Sequence, residues 1–266
     1  MTERTEGAAA PEETRDGERP VTAAVLVIGD EILSGRTKER NIGFIAGYLC
    51  NLGIDLKEAR IVPDDHQEIV DALNALRRRH DYVFTTGGIG PTHDDITADA
   101  VAAAFGVSID VDERAVNEML KRLKPAELTP ARLRMARIPA GAELVLNEVS
   151  GAPGFWIGNV ITMAGVPSIM QSMMDYVAPR LRGGRRMLSV TIQADCREGD
   201  VVEGFAGVQK AFPDVLMGSY PFVDAGGFNT RLVLRCRDAA RLEEAKQAVE
   251  AMLAALPPGV RRTQPA

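Results

Sequence analysis

The chain has only three cysteines, Cys50, Cys196 and Cys236. They lie too far apart for a CxxC knuckle, and an odd number does not build a disulfide framework, so reduced thiols in a cytoplasmic setting are expected. Positive charge is not in excess either: 31 Lys and Arg stand against 37 Asp and Glu, a net charge of -6. No global field then gathers nucleic acid or anionic lipid, and neither a nucleic acid nor a membrane is expected as a partner. No apolar run approaches the roughly 20 residues of a membrane helix, and the N-terminus lacks the apolar stretch of a signal peptide. Residues 1–20 contain no Val, Ile, Leu or Phe, so they read as a disordered tail, and residues 259–266 as a second one.

What remains is an ordinary globular composition, 45% hydrophobic and 26% charged, long enough at 266 residues for one medium domain and a small one. TAAVLVIG from Thr22 is a continuous apolar run, the mark of a strand buried on both faces. A helix follows from about Asn41, with Ile42, Ile45, Ala46 and Leu49 on one face and Gly53 at its end; Asn41 reads as its N-cap. IDLKEARIV is a second strand, and PDDHQEIVDALNALRRRH a second helix that Asp64 or Asp65 caps. YVFTT, residues 82–86, is a third strand, and TADAVAAAFG a helix that stops at Gly106. Strand and helix alternating in this way predict a doubly wound, mostly parallel α/β sheet, residues 21–183, with a late strand or hairpin in FWIGNVITMAG and a closing helix over residues 168–181. After Gly183 and Gly184 the order becomes βαββα, with strands MLSVTIQ, VLMGSY and TRLVLRC, which predicts a small α+β domain over residues 184–258.

Ligands of open parallel sheets sit beyond the carboxyl ends of the strands. Two loops leave such ends with unusual chemistry. GDEILSG places Asp30 and Glu31 directly after the first strand, and TTGGIGPTHDDIT follows the third. In the second loop Gly87, Gly88 and Gly90 let backbone N–H groups approach a ligand, Thr86 and Thr92 offer hydroxyls, and the next helix points its positive end at the same place. A phosphate site is one reading; glycines that merely shape a tight turn, with Asp94 or Asp95 capping the helix, is the other. The adjacent carboxylates favour the first, since a second Asp beside a phosphate is repulsive unless a cation intervenes, and Mg²⁺ takes one or two carboxylates together with substrate phosphates. No Gly-Lys-Ser/Thr follows the loop and no GxGxxG opens the first helix, so P-loop kinase and NAD-dehydrogenase chemistry fall away. Ser34 lies in no nucleophile elbow. His93 is a weaker candidate for proton transfer, the arginines at 180, 182, 185 and 186 for a phosphate clamp, and Met163, Met170, Met173 and Met174 read as core filling.

VIGDEILSGRTKERN, IVPDD, TTGGIGPTHDDIT, RMARIPAGAELVLN, APGFWIGNV and GVPSIMQSMM, in this order, resemble the N-terminal molybdopterin-binding-like domain of the competence/damage-inducible CinA family, over residues 21–182. The wider molybdenum-cofactor-biosynthesis fold of MoaB and Mog type also includes a domain fused to FAD synthases. The resemblance implies a divalent metal, Mg, Mn or Co, and hydrolysis of ADP-ribose to AMP and ribose 5-phosphate; relatives in the superfamily bind molybdopterin or transfer an adenylyl group to it. A homodimer or higher homo-oligomer is expected because the C-terminal stretch is short enough to lean on the first domain or on a second chain, and the chain is read as lacking the nicotinamide-nucleotide amidase domain that often accompanies CinA. Asp30 stands where Thr is usual in the CinA form of the first loop. The expected enzyme holds a metal on Asp94 and Asp95, cradles a diphosphate on Thr86, Gly87, Gly88, Gly90 and Thr92, and uses Asp30 or Glu31 to orient or deprotonate water. Its partner is a small nucleotide or pterin phosphate. A molybdopterin-binding or adenylyl-transferring protein and a non-catalytic binding or oligomerisation module are the alternatives.

Overall fold

The computed structural model describes residues 19–261 and divides into two compact units, one ending at Arg185 and one beginning at Arg186. In the first unit the strands are β1 Thr22–Ile28, β2 Asp55–Val62, β3 Tyr82–Thr86, β4 Ile109–Val111, β5 Arg137–Pro139, β6 Glu143–Val145, β7 Gly154–Ile157 and β8 Val160–Met163. The helices are α1 Asp30–Leu33, α2 Asn41–Asn51, α3 His66–Arg77, α4 Thr97–Phe105, α5 Glu113–Leu120, α6 Pro130–Leu133 and α7 Pro167–Val177. The main sheet runs β2-β1-β3-β8-β7-β6; β2, β1, β3 and β8 pair in parallel, and β7 is antiparallel to both its neighbours. It is a mixed, mostly parallel α/β sheet of the doubly wound kind that the strand and helix alternation predicts.

The apolar run of β1 has no solvent face because helices cover both sides of the sheet. On one side Ile69, Leu73 and Leu76 of α3, Val101 of α4 and Met119 of α5 pack on Leu26 and Val83; on the other Ile45 and Leu49 of α2 and Met170, Met173 and Met174 of α7 pack on Val25, Phe84 and Ile161. The methionines are core, as their helical spacing predicts. Of the two candidate caps of α3, Asp65 does the work, accepting from the Gln67 and Glu68 N–H groups at 2.9 and 3.0 Å. Asn41 is not the cap of α2. The Glu39 carboxylate accepts from the Asn41 and Ile42 N–H groups at 2.6 and 3.0 Å, which frees the Asn41 side chain for another task.

The second unit comprises β9 Leu188–Gln193, α8 Val202–Ala211, β10 Leu216–Asp224, β11 Gly227–Cys236 and α9 Ala239–Ala254, an antiparallel sheet ordered β10-β11-β9. Leu232, Leu234, Phe205, Leu242 and Val249 make its core between sheet and helices. β10 runs past the predicted VLMGSY to Asp224, where a two-residue turn leads straight into β11. Pro221 is tolerated within it because β10 is an edge strand. The predicted tails 1–20 and 259–266 fall largely outside the described residues. Where they enter them, Arg19 forks onto Asp81 at 2.9 and 2.6 Å, and Arg261 reaches the Ala194 carbonyl at 3.0 Å, so these two ends are held rather than loose. Among the described residues no helix is long and apolar enough to cross a membrane.

Candidate functional site

The carboxyl ends of β1, β3 and β8 meet at one corner, and glycine makes the meeting possible. Gly87 has φ of 103°, and a Cβ there would stand 2.1 Å from the Ile28 carbonyl oxygen; at Gly88, φ 66°, it would stand 2.1 Å from Thr97 Oγ1. No other residue permits both that backbone conformation and that approach. Gly165, after β8, lies against Gly87, and its carbonyl is held at 2.9 Å by the Asn41 amide, 95% buried for that purpose. The task of Asn41 is therefore to clamp the third strand end to α2.

The predicted acidic residues do not all face the same way. Asp95 Oδ2 accepts from the Thr92 N–H at 2.8 Å and the Thr92 hydroxyl at 2.5 Å, so its carboxylate locks the loop against Gly90. Neither Asp94 nor Asp95 caps α4, which has no side-chain cap; the Thr97 N–H instead reaches the Gly88 carbonyl at 2.9 Å. Asp94 is exposed, and the Thr92 hydroxyl, its own N–H and the His93 charge hold its carboxyl below the usual range. Across the cleft, Glu31 folds its carboxylate over Gly29 and Asp30 is exposed.

Asp64 is the residue that sequence reasoning missed. The sequence presents it as a helix cap, but its Oδ2 accepts from the Asp30 N–H at 2.9 Å and thereby ties the β2 end to the β1 end. Burial pushes its carboxyl above the usual range; the Asp30 N–H opposes this, and the charges of Glu31, Asp30 and Asp94 reinforce it. Asp64 thus lies in the field of three further carboxylates, Asp30, Glu31 and Asp94, at the strand ends. The available signal was the IVPDD motif itself: one Asp suffices for the cap, and the second is surplus.

Among the described residues no three carboxylate, imidazole or thiolate groups form a ready metal cluster. Mg²⁺ takes one or two carboxylates and completes its shell with water and substrate oxygens, so it does not demand such a cluster. Of the expected phosphate ligands, Gly88 and Gly90 are partly open, Thr92 is exposed but engaged with Asp95, and Thr86 is buried with its hydroxyl unpartnered. The N–H of Gly87 is already given to the Met163 carbonyl at 3.2 Å.

The weaker candidates resolve plainly. His93 is fully exposed, with its ring 4.0 Å from Asp94. Arg180 pairs with Glu143 and lies over Trp156, and Arg182 reaches Asp81 at 3.6 Å, so neither is a free phosphate clamp. A larger hollow of about 680 Å³ lies between α5, residues 146–151 and α7. In it Lys121 pairs with Glu118 at 2.7 Å and Asp175 accepts from the Tyr48 hydroxyl at 2.7 Å, and it touches no parallel strand end.

Residues 24–183 match the family model described as a probable molybdopterin binding domain, and residues 186–258 match that of the FAD synthase middle domain. A protein of Archaeoglobus fulgidus is 34% identical over 74% of this chain and 84% of its own length. A probable FAD synthase of Caenorhabditis briggsae is 31% identical over 87% of this chain but 49% of its own, so this chain spans about half of that relative. Among solved structures, the Thermoplasma acidophilum protein CinA, described as having unknown function, is similar with a TM-score of 0.57 at 35% identity, covering 60% of this chain and 98% of that one.

Proposed function

The chain belongs to the family of probable molybdopterin binding domains, and from that premise we propose that it hydrolyses the pyrophosphate of a nucleotide such as ADP-ribose with the help of a divalent cation. The observation that carries this reading is the pairing of a glycine turn with an acidic rim at one set of strand ends. The open amides of Gly88 and Gly90 and the positive end of α4 would bind phosphoryl oxygens. Asp64 and Asp94 would hold the cation, with Asp95 kept back to fix the loop. A bound divalent cation neutralises charge on the bridging and non-bridging oxygens of the phosphoanhydride. Glu31, folded over Gly29 beside the rim, would orient the water that displaces ribose 5-phosphate from AMP.

Incubation of the full chain with ADP-ribose and Mg²⁺, Mn²⁺ or Co²⁺, with products identified by mass, is the test. Turnover to AMP and ribose 5-phosphate that falls at least a hundredfold in Asp94→Ala supports the reading; a wild-type chain inert with all three metals overturns it. The family match itself favours a second reading, retention of a pterin phosphate without hydrolysis. Calorimetry with molybdopterin and with ADP-ribose separates the two.

A further inference from the structure

The acidic rim lies on the β1 side of the glycine turn, and the α4 side has a different character. There the turn meets the segment before β5, which carries Arg134 and Arg137. Arg137 is fully committed, forking onto the Asp99 carboxylate at 2.8 and 2.5 Å. Arg134 is not. One of its terminal N–H groups reaches the Asp95 carbonyl at a long 3.4 Å, no carboxylate pairs with it among the described residues, and its Nε is buried without any acceptor. Beside it is a cavity of about 10 Å³ whose lining includes Gly88, Gly90, Asp95 and Arg134 itself. Space of that size holds about one water oxygen. Thr97, the first residue of the nine-residue helix α4, is completely buried next to Gly88, and its hydroxyl is unpartnered as well.

Arg134 Nε thus lacks an acceptor beside the glycine turn, and the Thr97 hydroxyl next to Gly88 lacks a partner at the start of α4, a helix with no side-chain cap whose first N–H goes to the Gly88 carbonyl. An idle donor on a cation is costly in a folded chain and persists where a ligand or an ordered water takes it up. The class of group that takes a guanidinium N–H, a hydroxyl and a helix N-terminus together is a phosphoryl oxygen.

We propose that Arg134 is the cationic ligand of the diphosphate held at the Gly88–Gly90 turn, with Thr97 donating beside it. The assignment rests on the reading of this turn as a phosphate cradle. It gives the site a polarity: phosphoryl oxygens turn toward Arg134 and α4, while the cation sits on the carboxylates toward β1 and β2. The Asp95 carboxylate also lines the cavity and keeps its charge; its two bonds from Thr92 fix its position, and the Arg134 cation beside it is what offsets it toward a phosphoryl ligand.

Calorimetric titration of the full chain with inorganic pyrophosphate, with and without Mg²⁺, tests this. Arg134→Gln is expected to weaken binding at least tenfold and Arg134→Lys by a smaller factor, while the melting temperature of ligand-free Arg134→Gln stays equal to or above that of wild type. Binding by Arg134→Gln within twofold of wild type overturns the assignment and leaves the cradle standing; a wild-type chain that binds no pyrophosphate overturns both. A melting temperature lowered in Arg134→Gln with affinity unchanged identifies a brace around a structural water and likewise overturns the proposal. Should Arg134→Gln fail to fold, phenylglyoxal modification of the wild-type chain supplies the readout. Pyrophosphate should slow modification of Arg134 at least threefold while exposed Arg36 reacts as before, and equal rates at Arg134 with and without pyrophosphate reject it.

Discussion

Strands β1, β3 and β8 of the first unit are buried along almost their whole length, whereas β9 and β10 of the second alternate between half-buried and exposed. The difference follows from coverage: helices lie on both faces of the first sheet, and α8 and α9 pack into a single core beside the second. A doubly covered sheet has no tolerance at its strand ends, so three of them converge there through glycine and hold Asp64, Asp30 and Glu31 in fixed relation. The singly covered sheet exposes Tyr220, Val223 and Phe228 near its hairpin, where the Asn229 amide donates to Asp195 and Asp224.

The comparison is broken most forcefully at matched glycines. Gly87→Ala places a Cβ 2.1 Å from the Ile28 carbonyl at φ 103°, so the strand ends must part; a loss of about 3 kcal/mol or more is expected from strain and overpacking together. Gly227→Ala meets nothing within 4 Å and is burdened only by its φ of 99°, an expected loss of about 1–2 kcal/mol. Urea unfolding of both variants checks the ordering, and equal losses would mean that the corner is looser than its contacts indicate.

Core against surface is the next contrast. Leu73 is completely buried between α3 and the sheet, and Leu73→Ala should cost about 2–5 kcal/mol. Phe228 is 63% exposed with the Arg197 guanidinium 5.6 Å from its ring, and Phe228→Ala should cost about 0.5–1 kcal/mol, the worth of an exposed cation–π contact and little more. Thermal melts with a shift at Phe228→Ala as large as at Leu73→Ala would show that the hairpin is covered in solution.

The same contrast explains what was legible in the sequence. Periodicity read β1, α3 and α4 closely because burial on two faces or one stripe writes itself into the residue order, and Gly106 marked the end of α4 through its left-handed conformation. The GDE and GGIGPTHDD loops stood out for the same reason that they matter, glycines and carboxylates where a fold alone needs few of either. Contacts between distant segments were not legible. Nothing local says that Asp64 turns to Asp30, that Asn41 clamps Gly165, or that Arg134 comes to lie under Gly88 and Gly90. Each depends on the order in which strands enter the sheet. Thr86 illustrates the converse: a hydroxyl beside the glycines looks available in sequence, but helices cover both faces of β3 and leave it in the core.

The smallest effect sharpens the comparison furthest, because it separates stability from function within the corner itself. Asp64 carries a carboxyl raised above its usual range, chiefly by burial, with like charges from Glu31, Asp30 and Asp94 added. A folded-state value above the unfolded one means that the folded chain binds this proton more tightly. Its contribution to stability is present at acid pH and is lost as pH rises through the raised value. Asp64→Asn keeps an oxygen for the Asp30 N–H and carries no charge. It should therefore melt higher than wild type at pH 7, by about 1–2 °C given the partial solvent screening of the site. The advantage should shrink as pH falls through the raised value, since the wild-type carboxyl then takes up its proton too. Millimolar Mg²⁺ should raise the wild-type melting temperature and narrow the gap at pH 7, since a cation on the rim relieves the same repulsion. A variant that melts lower than wild type at pH 7 would mean that Asp64 serves the fold; one that melts higher yet loses ADP-ribose turnover would show a charge retained at the expense of stability for its chemistry.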